Sequence, residues 1–139
     1  MRHMNAVLLL LLVAGGACDR RRAPDPRLMV QRTLRGMFIY PGSVVVDMSA
    51  GDDAAQVTLT TPDSLEAVTG WFRRALELNA WVLQSDVTSE RSVTIVAAKG
   101  QRPLWITLRP NVGGTGTTYT MIGALLAEGD SLRIRDSIK

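Results

Sequence analysis

The strongest hydrophobic pattern of the chain lies at its middle, where apolar residues recur at helical spacing and predict one amphipathic helix. Thr61 is the predicted N-cap and Asn79 the predicted C-terminal stop, while Trp71 and Leu78 widen the apolar stripe. Gly70 costs up to about 1 kcal/mol inside a helix, which we interpret as close approach of its backbone to a strand. A single helix cannot bury its stripe alone, so it needs a sheet to lie on. The stripe consists of Leu65, Val68, Phe72, Ala75 and Leu76.

Strand-like segments flank this helix on both sides. In the clearest of them apolar and polar residues alternate, which favours a sheet with one buried face and one solvated face. Short connections favour antiparallel neighbours. We therefore predict an α+β fold in the order β-β-α-β-β-β-β, an antiparallel sheet of five to six strands with one amphipathic helix packed on one face. The predicted buried sets are Val57 with Leu59, Val93 with Ile95 and Ala97, and Leu104 with Ile106 and Leu108.

Composition divides the 139 residues into four segments. We predict a signal peptide over residues 1–17 and a basic tether over 18–37, with a short helix between residues 27 and 37. The α+β domain is predicted over 38–126 and a charged tail over 127–139. The tail either adds an edge strand or is partly disordered, and partial disorder is favoured.

The first eighteen residues have the layout of an export signal. A positive start at Arg2 precedes an apolar run that is too short to span a bilayer, which needs roughly 20 residues. Small residues follow, and then Cys18, the one cysteine of the sequence. Over residues 1–19 this arrangement resembles the lipobox of bacterial lipoproteins, although Gly15 stands where that family usually has a branched apolar residue. The resemblance implies that Cys18 is the lipid attachment site, and two or more acyl chains would hold the protein firmly to a membrane.

Two alternatives to lipidation remain at the N-terminus. A secretory cut after Ala17 would leave Cys18 as a free thiol, and an uncleaved segment would act as an anchor. The lipoprotein interpretation places the chain in the bacterial cell envelope, facing the periplasm or the exterior. Asp19 resembles the inner-membrane retention signal of some Gram-negative lipoproteins, but that signal does not hold in every lineage, so inner and outer membrane stay open.

Positive charge is concentrated beside the proposed lipid. Residues 19–41 hold six arginines and two aspartates, which gives this segment a net charge of +4. The formal net charge of the whole chain is +3. Anionic headgroups attract such a segment by about 1 kcal/mol per charge, although a solvated, flexible tether is the simpler interpretation. The predicted partners are a membrane, through the lipid at Cys18 and the basic tether, and an envelope protein. Nucleic acid is not expected, because the domain has no basic face and carries an export signal.

The reactive side chains argue against catalysis. His3 is the only histidine and would leave with the signal peptide, and Cys18 would be lipidated. The mature domain then lacks the groups for Ser-His-Asp or Cys-His nucleophilic sites and for the common zinc, copper and iron–sulfur ligand sets. We therefore predict a protein that is not an enzyme and that holds no metal and no cofactor. A hydrolase based on carboxylates alone would need two acidic side chains converging in a cleft.

Three local motifs have both a chemical and a simpler structural interpretation. Asp52 and Asp53 could ligate Ca²⁺, but they also fit the tip of a hairpin. The glycine-rich stretch 113–118 lacks the lysine of a phosphate-binding loop and is not followed by a predicted helix, which favours a hairpin loop. Asp63 and Glu66 could form a carboxylate pair, but capping of the central helix explains both.

Trp105 is the candidate centre of a partner surface. Strand alternation points it away from Leu104 and Ile106, toward a threonine-rich face that also carries Thr107 and Arg109. An exposed tryptophan there would anchor a protein partner or a glycan, and the alternative is that sheet twist or the C-terminal tail covers it. Three other aromatic residues are interpreted as core: Tyr40, Trp71 and Trp81.

A second resemblance rests on short motifs: Tyr-Pro-Gly at 40–42, Thr-Pro-Asp-Ser at 61–64, Trp-Phe at 71–72 and the tryptophan that opens the next strand. Over about residues 40–125 the chain is similar to small α+β domains of bacterial envelope lipoproteins, which implies a fold and a compartment but no reaction. The predicted function is a membrane-anchored envelope lipoprotein that acts as a non-catalytic binding or assembly module. The alternative is a carrier of a small apolar ligand between helix and sheet, and an apolar cavity there would favour it.

Overall fold

In the part of the chain that the structure describes, six antiparallel strands form one sheet that carries two helices on one of its faces. The structure, a computed structural model, describes residues 25–124. The predicted α+β class and the antiparallel sheet are confirmed. The elements are α1 (Pro26–Thr33), β1 (Val44–Ala50), β2 (Ala54–Thr61), α2 (Leu65–Leu78), β3 (Val82–Ser89), β4 (Ser92–Lys99), β5 (Arg102–Pro110) and β6 (Thr117–Ala124).

The strand order in the sheet is β1-β2-β6-β5-β4-β3. Consecutive strands pair as antiparallel hairpins except β2 and β3, which α2 connects and which are not neighbours. Strand β6 pairs with β2 on one side and with β5 on the other. The last strand therefore joins the β1–β2 hairpin to the β3–β5 meander. The strands β1 and β3 form the two edges, and each has one irregularity in its register.

The core fills the space between α2 and the middle of the sheet. The predicted buried sets of β2, β4 and β5 are confirmed, since every member is at most 3% exposed. From the helix, Val68, Phe72 and Leu76 are buried against them. Leu78, which we predicted to widen the apolar stripe, is 74% exposed, so that prediction is wrong. Fully burying such side chains contributes about 1.5–3 kcal/mol each, and this layer is the main source of stability.

The start of α2 differs from its prediction. Thr61 is not the N-cap, because it is the buried last residue of β2. Ser64 caps the helix instead, and its Oγ accepts a hydrogen bond from the Ala67 N–H at 3.3 Å. The prediction of a close backbone approach at Gly70 is also wrong, since a Cβ added there would meet nothing within 4 Å. Asn79 ends the helix as predicted.

The short helix predicted between residues 27 and 37 is present as α1, but we placed it in the tether, and the prediction of a single helix on the sheet is wrong. Asp25 caps α1 by accepting a hydrogen bond from the Arg27 N–H at 2.9 Å, and Met29 and Thr33 are buried. Since Gly123 of β6 lies beneath the end of this helix, residues 26–37 pack on the sheet, although the sequence assigned them to the tether. Gly123 lies there because β6 pairs with β2, a strand far away in the chain, and such pairing leaves no local pattern in the sequence.

Several predictions concern residues outside the described range. The signal peptide, Cys18 with its proposed lipid, and the tail over 127–139 all lie beyond residues 25–124. Within that range neither helix has the length and apolar character needed to cross a membrane.

Candidate functional site

An apolar cavity of about 290 Å³ lies between α1 and the β1 edge of the sheet. We call it the α1 cavity. Helix α1 and the segment after it form one wall, and the helix-facing side chains of three strands form the other. Gln31 contributes the one polar side chain among the lining residues. The lining consists of Val30, Gln31, Leu34, Met37 and Ile39 on the helix side, and of Val45, Met48, Val57 and Met121 on the sheet side.

Two contacts hold α1 in place over this cavity. The Arg102 guanidinium donates hydrogen bonds to the backbone oxygens of Thr33 at 3.1 Å and Arg35 at 2.9 Å. Close packing adds to this at Gly123, where an added Cβ would lie 2.9 Å from the Thr33 Cγ2 and 3.1 Å from the Leu34 Cδ2. A larger residue at Gly123 would therefore push the end of the helix away from the sheet.

The mouth of the α1 cavity leaves apolar surface in water. Ile39 is 52% exposed and Val45 is 40% exposed. Covering apolar surface contributes roughly 25 cal/mol per Å², so an apolar molecule that seats here gains binding free energy from these side chains. Met37, Met48 and Met121 can adapt their shape to different occupants, because methionine is unbranched and polarisable. The volume is near the lower limit of small-molecule pockets, about 300 Å³.

The space between α2 and the centre of the sheet is filled by aromatic rings, whereas the depression of about 380 Å³ between α2 and β3 is lined in part by the charged side chains of Arg73, Glu77 and Asp86. Phe72 and Tyr119 are both fully buried there, with ring centroids 5.0 Å apart in an edge-to-face arrangement. Trp71 packs edge-to-face on Phe72 at 5.0 Å and on Tyr40 at 5.3 Å. The apolar cavity between helix and sheet therefore lies under α1, and not under the central helix from which the prediction started.

A hydrogen-bond network fixes the segment that leads from the α1 cavity into β1. The Tyr119 hydroxyl donates to the Ser43 Oγ at 2.8 Å and accepts from the Tyr40 N–H at 3.2 Å. The Tyr40 hydroxyl donates to the Asp63 carboxylate at 2.6 Å. The hydrogen bond to Asp63 raises the pKa of Tyr40, and burial raises the pKa of Tyr119. Both tyrosines are therefore neutral at physiological pH and serve as structural donors.

The predicted partner surface lies on the opposite side of the sheet, on the face that carries no helix among residues 25–124. Trp105, Thr107 and Arg109 are brought together there, two residues apart along β5. Trp105 is 38% exposed, so this face of β5 presents part of the indole to solvent. Beside these residues is a depression of about 530 Å³, which we call the open-face depression. Its lining consists of Gln56, Thr107, Arg109, Pro110, Asn111, Val112, Thr118 and Thr120.

Hydrogen bonds order the threonines of this face. The hydroxyls of Thr58 and Thr120 are 3.0 Å apart across β2 and β6. The Thr118 hydroxyl donates to the Asn111 Oδ1 at 2.7 Å, and the Asn111 amide donates to the Thr115 carbonyl at 3.1 Å. This network links the β5–β6 loop to the sheet and gives the depression a defined wall.

Two of the three other motifs fit their structural interpretations, whereas Asp63 does not cap α2, because Ser64 is the N-cap and the Asp63 carboxylate accepts from the Tyr40 hydroxyl. Asp52 and Asp53 are exposed in the turn between β1 and β2, and the glycine-rich stretch 113–118 leads into strand β6, not into a helix. Within residues 25–124, no three His, Cys, Asp or Glu side chains come together as a metal site. Elsewhere in the described residues, an ion pair joins Arg73 of α2 to Asp86 of β3, with 2.7 Å between Arg73 Nε and Asp86 Oδ2. The hydrogen bond from Arg73 lowers the pKa of Asp86.

The sequence interpretation missed the α1 cavity because it treated residues 18–37 as a tether. A signal was present, since Met29, Val30, Thr33, Leu34 and Met37 recur at spacings of three and four residues. The arginines between them masked this weak amphipathic pattern. Nothing local in the sequence indicated that β1 would be an edge strand with its apolar side chains exposed.

Comparison with known proteins gives one family and one distant relative. A family model described as START domain-like matches residues 42–119, from just before β1 into β6. An archaeal protein described as "Uncharacterized protein", from Archaeoglobus fulgidus, is 29% identical over 98 residues, which cover 63% of this chain and 31% of that protein. The chain thus spans about a third of the length of this curated relative. No solved structure matches the chain.

Proposed function

The chain belongs to the START domain-like family, and from this premise we propose that it is a non-catalytic binding module whose α1 cavity holds a small apolar ligand. Domains of this kind often bind small apolar ligands. The observation that carries the proposal is the α1 cavity, whose walls are apolar except for Gln31 and whose mouth exposes Ile39 and Val45.

The size and chemistry of the cavity set the expected ligand and affinity. A cavity of about 290 Å³ accommodates a short alkyl segment or a small ring system, and the single amide of Gln31 leaves little polar recognition. Burying about six methylene groups would contribute roughly 5 kcal/mol before the cost of association. We therefore expect dissociation constants between micromolar and millimolar.

The two faces of edge strand β1 provide a matched pair of variants. Val45 points into the α1 cavity, whereas Val44 pairs with Thr60 and points to the open face. Both side chains are exposed, so neither substitution disturbs the buried core. Val45→Trp places an indole in the cavity, and Val44→Trp adds the same group outside it.

Titration of the purified chain with the uncharged fluorophore N-phenyl-1-naphthylamine tests the proposal, with the emission of the probe as the readout. We expect saturable binding to the wild type and to Val44→Trp, and an affinity lower by about tenfold or more for Val45→Trp, which corresponds to about 1.4 kcal/mol. Equal affinities for the two variants, or the absence of saturable binding to the wild type, would contradict the proposal.

We also propose that the module is tethered in the bacterial cell envelope through lipid at Cys18. The layout of residues 1–19 and the arginines of residues 19–41 support this. Arg27, Arg32 and Arg35 are exposed on and after α1, where they would face anionic headgroups. Growth with a clickable fatty acid should label the wild type but not Cys18→Ala. Undiminished label on Cys18→Ala would exclude this attachment site.

A further inference from the structure

The face of the sheet without helices presents side chains in three rows across β5, β6 and β2. Along β5, Trp105, Thr107 and Arg109 point to this face at intervals of about 7 Å. Each of the three lies in a row with one residue of β6 and one residue of β2. Trp105 lies beside Ile122 and then Gln56, Thr107 beside Thr120 and then Thr58, and Arg109 beside Thr118 and then Thr60.

The three rows differ in chemistry. The first offers a flat apolar surface, because Trp105 and Ile122 are 38% and 36% exposed. The second is a line of threonine hydroxyls, which both donate and accept hydrogen bonds. The third ends in the positive charge of Arg109. An occupant of the whole face therefore needs an apolar surface, several hydroxyl-sized polar groups and a negative charge, spread over about 13 Å along the strand.

Arg109 is the one charged side chain among the lining residues of the open-face depression. Within residues 25–124, its guanidinium has neither an ion-pair partner nor a hydrogen-bond partner. The hydroxyl of Thr107 and the amide of Gln56 are likewise free of partners within the same range. Three polar groups with unused hydrogen-bonding capacity thus line one depression of about 530 Å³.

From this arrangement we propose that the open-face depression and Trp105 bind an acidic saccharide. The apolar face of a sugar ring stacks on the Trp105 indole, ring hydroxyls exchange hydrogen bonds with Thr107 and Gln56, and a carboxylate on a further ring pairs with the Arg109 guanidinium. This site is separate from the α1 cavity, which lies on the other face of the sheet. The inference is therefore independent of the proposed function.

The backbone of this face favours a saccharide over an acidic peptide. Peptides that bind sheets gain most of their affinity from main-chain hydrogen bonds to an unpaired strand edge. The strands β5 and β6 are paired on both sides, so they offer a peptide no such bonds. A saccharide has no backbone to satisfy, and its hydroxyls match the side-chain hydroxyls that line the depression.

Calorimetric titration of the full chain at physiological ionic strength tests the proposal. The probes are a short oligogalacturonate, its methyl ester as the uncharged match, and an oligoglutamate of similar charge. We expect the oligogalacturonate to bind, and its ester to bind about tenfold or more weakly because the charge-assisted bond to Arg109 is lost. Oligoglutamate should bind more weakly than the oligogalacturonate.

Arg109→Gln should reduce affinity for the oligogalacturonate by about tenfold or more, and Trp105→Ala should reduce it as well. Arg74→Gln is the matched control, because Arg74 is also exposed but lies on α2, across the sheet. It should leave the affinity unchanged, as should Val45→Trp in the α1 cavity. Arg109 is exposed, so an unchanged thermal midpoint is the expected folding control for Arg109→Gln.

Four results would overturn the proposal. Equal binding of the acid and its ester would remove the role of Arg109. If Arg74→Gln lost as much affinity for the oligogalacturonate as Arg109→Gln, only the net charge of the protein would matter. Equal or tighter binding of oligoglutamate would identify a surface for acidic peptides, and no binding of the oligogalacturonate would exclude the site.

Discussion

Replacing Tyr119 with phenylalanine tests how the lead-in segment (residues 38–43) is attached to the sheet. Tyr119 is fully buried, and its ring contact with Phe72 remains in the variant. What is lost is the hydroxyl, which donates to the Ser43 Oγ and accepts from the Tyr40 N–H. The variant loses one hydrogen bond outright and leaves a part-buried N–H without its partner.

The expected cost is about 1–2 kcal/mol. A net hydrogen bond contributes about 0.5–1.5 kcal/mol, and a buried donor left without a partner costs about 1–3 kcal/mol. Because the Tyr40 N–H is only part-buried, the total loss of unfolding free energy lies at the lower end of these two ranges added together. For a domain of this size, the melting temperature should fall by roughly 5–10 °C. Urea unfolding followed by circular dichroism should show a lower midpoint with an unchanged slope.

The same variant predicts a pH dependence. Burial raises the pKa of Tyr119 above its usual value near 10. The stability that the neutral phenol contributes is therefore complete below about pH 10 and is lost as the pH rises through the folded-state pKa. Because phenylalanine does not titrate, the stability difference between wild type and Tyr119→Phe should narrow above about pH 10.

Ser43→Ala is the matched control for this prediction. It removes the acceptor of the Tyr119 hydroxyl but leaves the bond from the Tyr40 N–H intact, so it should cost less than Tyr119→Phe. If Tyr119→Phe unfolds at the wild-type midpoint, or if Ser43→Ala costs as much, the hydroxyl does not hold the lead-in segment in the way the geometry indicates.

Two further predictions follow from local geometry. Arg73→Gln should lower stability by up to about 1 kcal/mol near neutral pH, because the pair with Asp86 is bidentate but partly exposed. That difference should vanish as the pH falls from about 4 through the lowered pKa of Asp86, and urea unfolding of both proteins across this range measures it. Gly116→Ala should cost more than about 1 kcal/mol, because Gly116 has a φ of +104° and an added Cβ would overlap the Thr61 carbonyl oxygen. Gly114→Ala in the same loop meets nothing within 4 Å, so thermal unfolding should separate the two, and equal midpoints would refute the steric argument.

The sequence by itself determined the parts of the fold that depend on local periodicity. The helical spacing around Phe72 placed α2, and alternation in β2, β4 and β5 identified the buried residues. The same alternation placed Trp105, Thr107 and Arg109 together on the open face. These predictions succeeded because each face of a helix or strand is defined by its own residues.

The predicted helix cap, Thr61, was wrong. Both Thr61 and Ser64 are residue types that cap helices. The pairing of Thr61 with Thr117 extends β2 to that point, and the helix begins only after it. The distant strand β6 therefore decided where a local element starts.

Only the tertiary structure decided which segments are neighbours. The insertion of β6 between β2 and β5 sets Gly123 beneath α1, and Arg102 then binds the carbonyls at the end of that helix. Neither contact has a local signature, because each joins residues far apart in the chain. The α1 cavity exists between a short basic helix and an edge strand, and its apolar walls meet only when the sheet is complete. A periodic pattern reports which face of an element is buried, whereas a cavity depends on what the opposite wall is made of.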